Sequence, residues 1–319
     1  MQGEIRRAKL VEIISEFSIG LALVAEIILF SQFSQYFFTA ENLLNISLQA
    51  SITAIIAAGM TFVILTAGID LSVGSLVAFA GILATSVIKI DLPVYLGLSL
   101  GILTALLFGV FSGYIAGIFV TRFKITPFIV TLALMTIWRG ASFVYTEGRP
   151  IWDLPETFSY LGGGRIIGVP VPTVIMIIVF IVSHIVLTKT RFGRYVYAVG
   201  GNLEAARLAG IKTNKILISV YIISGVLSAL SGILLASRIN SGQPNAGLMY
   251  ELDVIAAVVV GGTSLFGGRG TIIGTFLGAM LIAVLRNGLN LMNVGSYVQQ
   301  VIVGSVILLA VLLDQLRKG

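Results

Sequence analysis

Leu43–Thr66 reads LLNISLQASITAIIAAGMTFVILT, a long and unbroken run of mainly apolar residues. A membrane-spanning helix needs roughly 20 such residues, whereas a barrel strand needs only about 10 that alternate in polarity. The run is of the first kind. Lipid offers no partner to backbone N–H and C=O groups, so the run satisfies them internally, as a helix. Working outward with a window of about 19 residues, similar runs fall at Phe17–Phe38, Ser75–Ile90, Val94–Thr121 and Pro127–Tyr145. The second half holds Val171–Leu187, Ile216–Arg238, Leu252–Gly262, Thr271–Leu291 and Val298–Leu313. The fold class expected is an all-α integral membrane protein with about ten transmembrane helices. Ser75–Ile90 and Leu252–Gly262 are the weak members, and eight spans with two re-entrant segments is the alternative count.

Composition points the same way. Of the residues 57% are hydrophobic and 11% charged, and the mean hydropathy of +1.04 excludes a chain with a watery surface. Thirty-six glycines in 319 residues read as packing, because small residues let membrane helices approach closely. There is no cysteine, hence no disulfide, thiolate metal site or thiol nucleophile. The single histidine, His184, sits in an apolar run and reads as an interfacial structural residue.

The net charge of +6 is not a nucleic-acid signal, since the basic residues lie in short loops between apolar runs. They set orientation instead. With the amino terminus inside, the inner positions collect most of the 20 Lys and Arg residues, among them Arg6, Arg7, Lys9, Arg122, Lys124, Lys189, Arg191, Arg194, Arg207, Lys212, Lys215, Arg269, Arg317 and Lys318. Both termini are therefore expected in the cytoplasm. No small-residue cleavage site follows the first apolar run, so no removable signal peptide is expected. The whole chain, 1–319, reads as a single transmembrane domain. It has a cytoplasmic segment 1–15, an outer loop 146–170 rich in turns and aromatic anchors, and an inner loop 188–215. A weak internal repeat joins Ile69-Asp70-Leu71 to Leu252-Asp253-Val254, each before an apolar run, and predicts two inverted halves.

Two stretches carry function. Ala67-Gly68-Ile69-Asp70-Leu71-Ser72-Val73-Gly74-Ser75 places an acid, two hydroxyls and glycines between apolar runs and so interrupts a membrane helix. A carboxylate there costs several kcal/mol unless paired or wetted, so Asp70 caps the next helix, lines a route, or does both. Gly200-Gly201-Asn202-Leu203-Glu204-Ala205-Ala206-Arg207-Leu208-Ala209-Gly210-Ile211 forms a short amphipathic helix with Asn202 at its N-cap. Leu203, Ala206, Leu208 and Ile211 could fill a groove on a partner, or the helix could lie on lipid headgroups. Asp70, Ser72, Ser75, Asn287, Asn290 and Asn293 are the polar candidates for lining a path, the three asparagines at helical spacing. Amides suit neutral hydroxyls, and equally suit helix-to-helix bonds. Arg139 and Glu26 are other intramembrane charges to which the sequence assigns no transport role.

The first two of these stretches, together with Gly193-Arg194-Tyr195-Val196-Tyr197-Ala198-Val199-Gly200-Gly201-Asn202, Tyr250-Glu251-Leu252-Asp253-Val254-Ile255-Ala256-Ala257 and Gly261-Gly262-Thr263-Ser264-Leu265-Phe266-Gly267-Gly268-Arg269-Gly270, resemble the ribose-type sugar permeases. Asn287-Gly288-Leu289-Asn290-Leu291 is similar as well, and the likeness runs over nearly the whole chain. The resemblance implies a permease homodimer in a bacterial inner membrane, with a cytoplasmic ATP-binding subunit and a periplasmic sugar-binding protein as partners. It implies that ATP and Mg are held by the partner, with no cofactor in this chain. Gly200, Gly201, Asn202, Glu204, Ala205, Ala206, Arg207 and Gly210 are similar to the loop that docks such an ATPase, without the Leu-Pro pair that closes the longer pattern of other importers. No phosphate-binding loop and no nucleophile–base constellation occurs in the sequence, so an enzyme is not expected. An ion-coupled secondary sugar transporter, with Asp70 as the coupling site, is the alternative; a non-transporting scaffold is a third reading.

Overall fold

The computed structural model of the chain describes residues 19–316. The expected cytoplasmic segment 1–15 and the basic residues Arg6, Arg7, Lys9, Arg317 and Lys318 lie outside the described residues. The elements run α1 (Ile19–Phe33), α2 (Ala40–Leu65), α3 (Val73–Ile88), α4 (Val94–Thr121), α5 (Pro127–Thr146) and α6 (Glu156–Gly163). A two-stranded hairpin follows, β1 (Arg165–Ile166) and β2 (Val169–Pro170). Then come α7 (Val171–Lys189), α8 (Arg191–Gly201), α9 (Leu203–Leu208), α10 (Thr213–Arg238), α11 (Tyr250–Val260), α12 (Ile272–Leu291) and α13 (Ser296–Leu316). Six of these helices, α2, α4, α5, α7, α10 and α12, are long and apolar enough to cross a membrane.

Local chemistry sets the helix starts. Thr39 accepts a hydrogen bond from the backbone N–H of Asn42 at 3.3 Å, and Thr271 accepts one from that of Gly274 at 2.9 Å, so α2 and α12 each begin on a threonine cap. α5 and α7 instead begin with proline in the first turn, where its missing N–H costs nothing.

α2 is the central helix. From Ala54 to Leu65 it is buried throughout, packed among α10, α12, α7 and α11. α4 and α5 are peripheral and turn Leu103, Leu107, Phe111, Phe128 and Ile137 outward, a surface suited to lipid. α4 meets α10 at backbone distance, because Gly109 faces Gly225 and Gly113 faces Tyr221 and Ile222. A side chain at Gly113 would occupy the space of the Tyr221 carbonyl. Gly113→Val is therefore expected to destabilise the bundle by about 1–3 kcal/mol or more, read as a lower thermal midpoint of the detergent-solubilised chain. An unchanged midpoint would show that the α4–α10 contact is loose.

The loop 146–170 holds more structure than turns and anchors. α6 packs Phe158 inside and sets Gly162 against the backbone of Arg238, and β1 pairs antiparallel with β2, Arg165 opposite Pro170. Ile167 and Gly168 at the hairpin tip both have positive φ, the type I′ geometry that suits a two-residue hairpin. Trp152 and Tyr160 are exposed beside it. The chain therefore has a hairpin end, where α2 and α7 begin, and an opposite end carrying α8 and α9.

Candidate functional site

Within the bundle, α3 and α11 are too short to cross by themselves. α3 has 16 residues and α11 has 11, about 24 Å and 16 Å of rise against a hydrocarbon core about 30 Å thick. Each follows a non-helical segment, 66–72 and 239–249. Gly242 lies on Ile82 and Thr85 toward the far end of α3, and Gly247 lies on Gly74 and Val77 at its start. Residues 242–247 thus run back along α3, and α11 begins where α3 begins. The amino ends of the two half-helices meet at Gly74 and Gly247, whose backbones touch, with the Glu251 carboxylate against Gly74. Both ends carry the partial positive charge of a helix N-terminus, so they would repel without the nearby acids Asp70, Glu251 and Asp253.

Asp70 organises the first break. Its Oδ1 accepts from the backbone N–H of Ser72 at 3.0 Å and from Ser72 Oγ at 2.6 Å, and its Oδ2 accepts from Ser224 Oγ on α10 at 2.8 Å. The carboxylate is buried and faces α10. Ser75 Oγ donates back to Ser72 O at 2.8 Å. Both predicted hydroxyls therefore belong to one capping network at the head of α3. Tyr221 sets its hydroxyl over Gly68, buried and without a partner among the described residues. The second break carries an ion pair that sequence reasoning did not find, Asp253 of α11 with Arg286 of α12 at 2.5 Å.

At the end opposite the hairpin the loops converge. The backbone N–H of Gly268 donates to Leu65 O at 2.9 Å, Gly200 packs on the same carbonyl, and Gly267 lies against Ala67. The last residues of α2, the end of α8 and the turn 261–270 are thus in direct contact, immediately before the break at 66–72. Asn202 accepts from the backbone N–H of Ala205 at 2.9 Å and caps α9. Glu204, Ala205, Arg207 and Gly210 are exposed, as are Gly201 and Asn202. The apolar face expected on this segment is divided. Leu203 and Leu208 point outward, whereas Ala206 is buried and Ile211 packs on the core, so only the first two are free to meet a partner. The inner loop also holds α8, a second helix that sequence reasoning read as loop.

The sequence profile of the branched-chain amino acid transport system / permease component family matches residues 42–312, a range that takes in both breaks and their junction. The chain belongs to this permease family. It is a transport component and not an enzyme, and a multi-pass protein of the bacterial inner membrane. The permease is 49% identical over 298 residues to the ribose import permease protein of Haemophilus influenzae, covering 92% of this chain and 91% of that one. It is 44% identical to the ribose import permease protein of Bacillus subtilis, over 100% of this chain and 98% of the other. To the L-arabinose ABC transporter permease protein of Azospirillum brasilense it is 38% identical, over 89% and 82%. No solved structure matches the chain.

The permease places its asparagines away from the breaks. Asn287 exchanges two amide hydrogen bonds of 2.9 Å with Asn42 and so ties α12 to α2. Asn290 accepts from Gln299 of α13 at 2.7 Å, and Asn293 sits beyond the helix with φ +58°. Beside the Asn42–Asn287 pair, at the hairpin end, lies a cleft of about 400 Å³ of mixed lining, with Glu41, Asn42, Asn45 and Arg165 set among Tyr36, Leu44 and Leu48. Sequence reasoning missed Ser224. Its signal was the spacing of Tyr221, Ser224, Ser228 and Ser231 on one face of α10, hydroxyls at helical intervals in an otherwise apolar span.

Proposed function

We propose that this chain is the membrane subunit of an ATP-driven importer that moves a monosaccharide, ribose or a similar sugar, across the bacterial inner membrane. The observation that carries the reading is the near full-length likeness to permeases named for ribose import, and at lower identity for L-arabinose. Those names point to sugar where the broader family description points to amino acids. None of the relatives reported above is named as an ion-coupled carrier.

In this reading the whole chain, 1–319, is one transmembrane domain of ten crossings with both termini cytoplasmic. Eight crossings are made by α1, α2, α4, α5, α7, α10, α12 and α13. The other two are made by α3 and α11, each with the non-helical segment before it. The head-to-head meeting of α3 and α11 supports an inverted relation between the halves. A cytoplasmic ATP-binding subunit, holding ATP and Mg, docks on 188–215 through the exposed Gly201, Asn202, Glu204, Ala205, Arg207 and Gly210, while Gly200 and Ala206, which the sequence placed among the docking residues, pack inward and hold the segment on the bundle. A periplasmic sugar-binding protein docks at the hairpin end around 146–170, and two permeases pair. ATP binding draws the α8–α9 segment toward the ATPase. Through Gly200 and Gly268 that motion reaches Leu65 and the break, where Asp70, Ser72 and Ser75 hold α3 and a neutral sugar passes. Asn287, Asn290 and Asn293 line the approach from the hairpin end in the outward-facing state. The two states differ in stability, and ATP binding shifts their populations.

Extraction of the tagged chain in mild detergent tests this. An ATPase with a phosphate-binding loop should co-purify, and Glu204→Lys should release it or cut ATP-driven uptake about tenfold, the effect of roughly 1.4 kcal/mol at a docking contact. A chain that purifies alone and moves sugar on an ion gradient would overturn the proposal.

A further inference from the structure

α5 reaches both non-helical segments with side-chain donors. Thr131, buried near its start, shares its hydroxyl proton between Pro127 O of its own helix at 3.0 Å and Ile69 O of the first break at 3.2 Å. Eight residues on, about 12 Å along the helix, Arg139 Nη1 donates to Pro244 O at 2.8 Å and to Ala246 O at 2.7 Å. Those two carbonyls belong to the strand of chain that runs back along α3 and leads into α11. Non-helical backbone at membrane depth survives only where protein or water satisfies it, and here a guanidinium supplies the donors. The oppositely charged Glu251 stands in the first turn of α11, against Gly74. Otherwise α5 is a peripheral helix with an outward apolar face; its remaining side-chain hydrogen bond to a neighbouring helix among the described residues, Trp138 Nε1 to Ser112 Oγ of α4 at 2.8 Å, touches neither break.

We infer that α5 is a two-point clamp on the paired breaks and that Arg139 is a positioning residue for transport. It fixes residues 244–246 relative to α5, so that the meeting point of Gly74 and Gly247 opens with α5 as one body. Without it, the lead segment of α11 drifts while the ATPase continues to cycle. The inference rests on the transport reading above.

The test uses the complete importer reconstituted with its ATP-binding and sugar-binding subunits. Arg139→Met should leave ATP hydrolysis within about twofold of the parent while sugar moved per ATP falls about tenfold, the loss of charge-assisted hydrogen bonds. Arg139→Lys keeps the charge but loses the planar fork and should fall between the two. A merely structural role would lower hydrolysis and transport together, in proportion to assembled protein. Because the native chain has no cysteine, Ala246→Cys gives a clean second readout, and its labelling by a water-soluble maleimide should speed up severalfold when Arg139→Met is added. Should Arg139→Met fail to assemble, Arg139→Lys carries both measurements. Unchanged sugar per ATP together with unchanged labelling overturns the clamp. A parent complex with no ATP-driven uptake overturns the transport reading instead, and the labelling still decides whether Arg139 holds the segment.

Discussion

Gly74→Leu is expected to abolish sugar uptake while the protein still reaches the membrane. A Cβ at position 74 would stand where the Gly247 carbonyl and the Glu251 carboxylate now lie, and leucine adds three more carbons to that collision. The carboxylate could swing away, but Gly247 is backbone, and its own Cβ position is closed in turn by Gly74. The two half-helix ends must therefore separate. Overpacking of this kind costs about 1–3 kcal/mol where a core can adjust, and here the resisting groups are main chain on both sides. At roughly 1.4 kcal/mol per factor of ten, about 100-fold less of the closed arrangement remains. Uptake of labelled sugar, normalised to permease abundance in the membrane, reads the effect, and Gly74→Ala should be milder. Normal uptake with leucine at equal abundance would mean that the ends lie apart throughout the working cycle.

Asp70→Ala should be nearly as damaging, for a different reason. It strips partners from the buried Ser224 hydroxyl and from the N–H and hydroxyl of Ser72. Each buried polar group left unsatisfied costs about 1–3 kcal/mol, enough to release the head of α3 from α10. The cost is one of orphaned donors, so removing a donor should return part of it. Asp70→Ala combined with Ser224→Ala is expected to be less damaged than the sum of the single changes, a coupling measurable as a double-mutant cycle on thermal midpoint and uptake. Strict additivity would place the importance of Asp70 in its charge toward substrate or ion, and not in these bonds.

The first break was legible because it violates its surroundings. An acid and two serines inside an apolar stretch have few physical solutions, and capping the next helix is one of them. The second break was half legible. Leu252–Gly262 is short in the sequence, but nothing in Gly242–Met249 says that it descends along α3, since that path depends on Arg139 and on Gly74, more than 100 residues away. Asp253 and Arg286 appear as separate charges until α11 and α12 are packed. The inner loop failed in a different way. α8 mixes glycines, arginines and tyrosines without a lipid-like run, and its role as the seat for Leu65 comes from Gly200 lacking a side chain. The docking face was misjudged at Ala206 and Ile211 because periodicity gives a helix its faces without saying which of them the rest of the protein claims.

The central position of α2 has a consequence for how the protein is made. α2 is buried largely by α10 and α12, whose residues follow it in the chain by roughly 150 to 250 positions. At about 5–20 residues per second, a ribosome needs on the order of ten to fifty seconds to supply those neighbours. During that interval Asp70 has no Ser224, Asn42 has no Asn287, and α2 must wait beside the insertion machinery with its polar groups unmatched. A nascent chain halted before Thr213 should therefore remain in contact with that machinery and be cleared by proteases if released. The permease becomes a settled membrane protein only when its second half arrives.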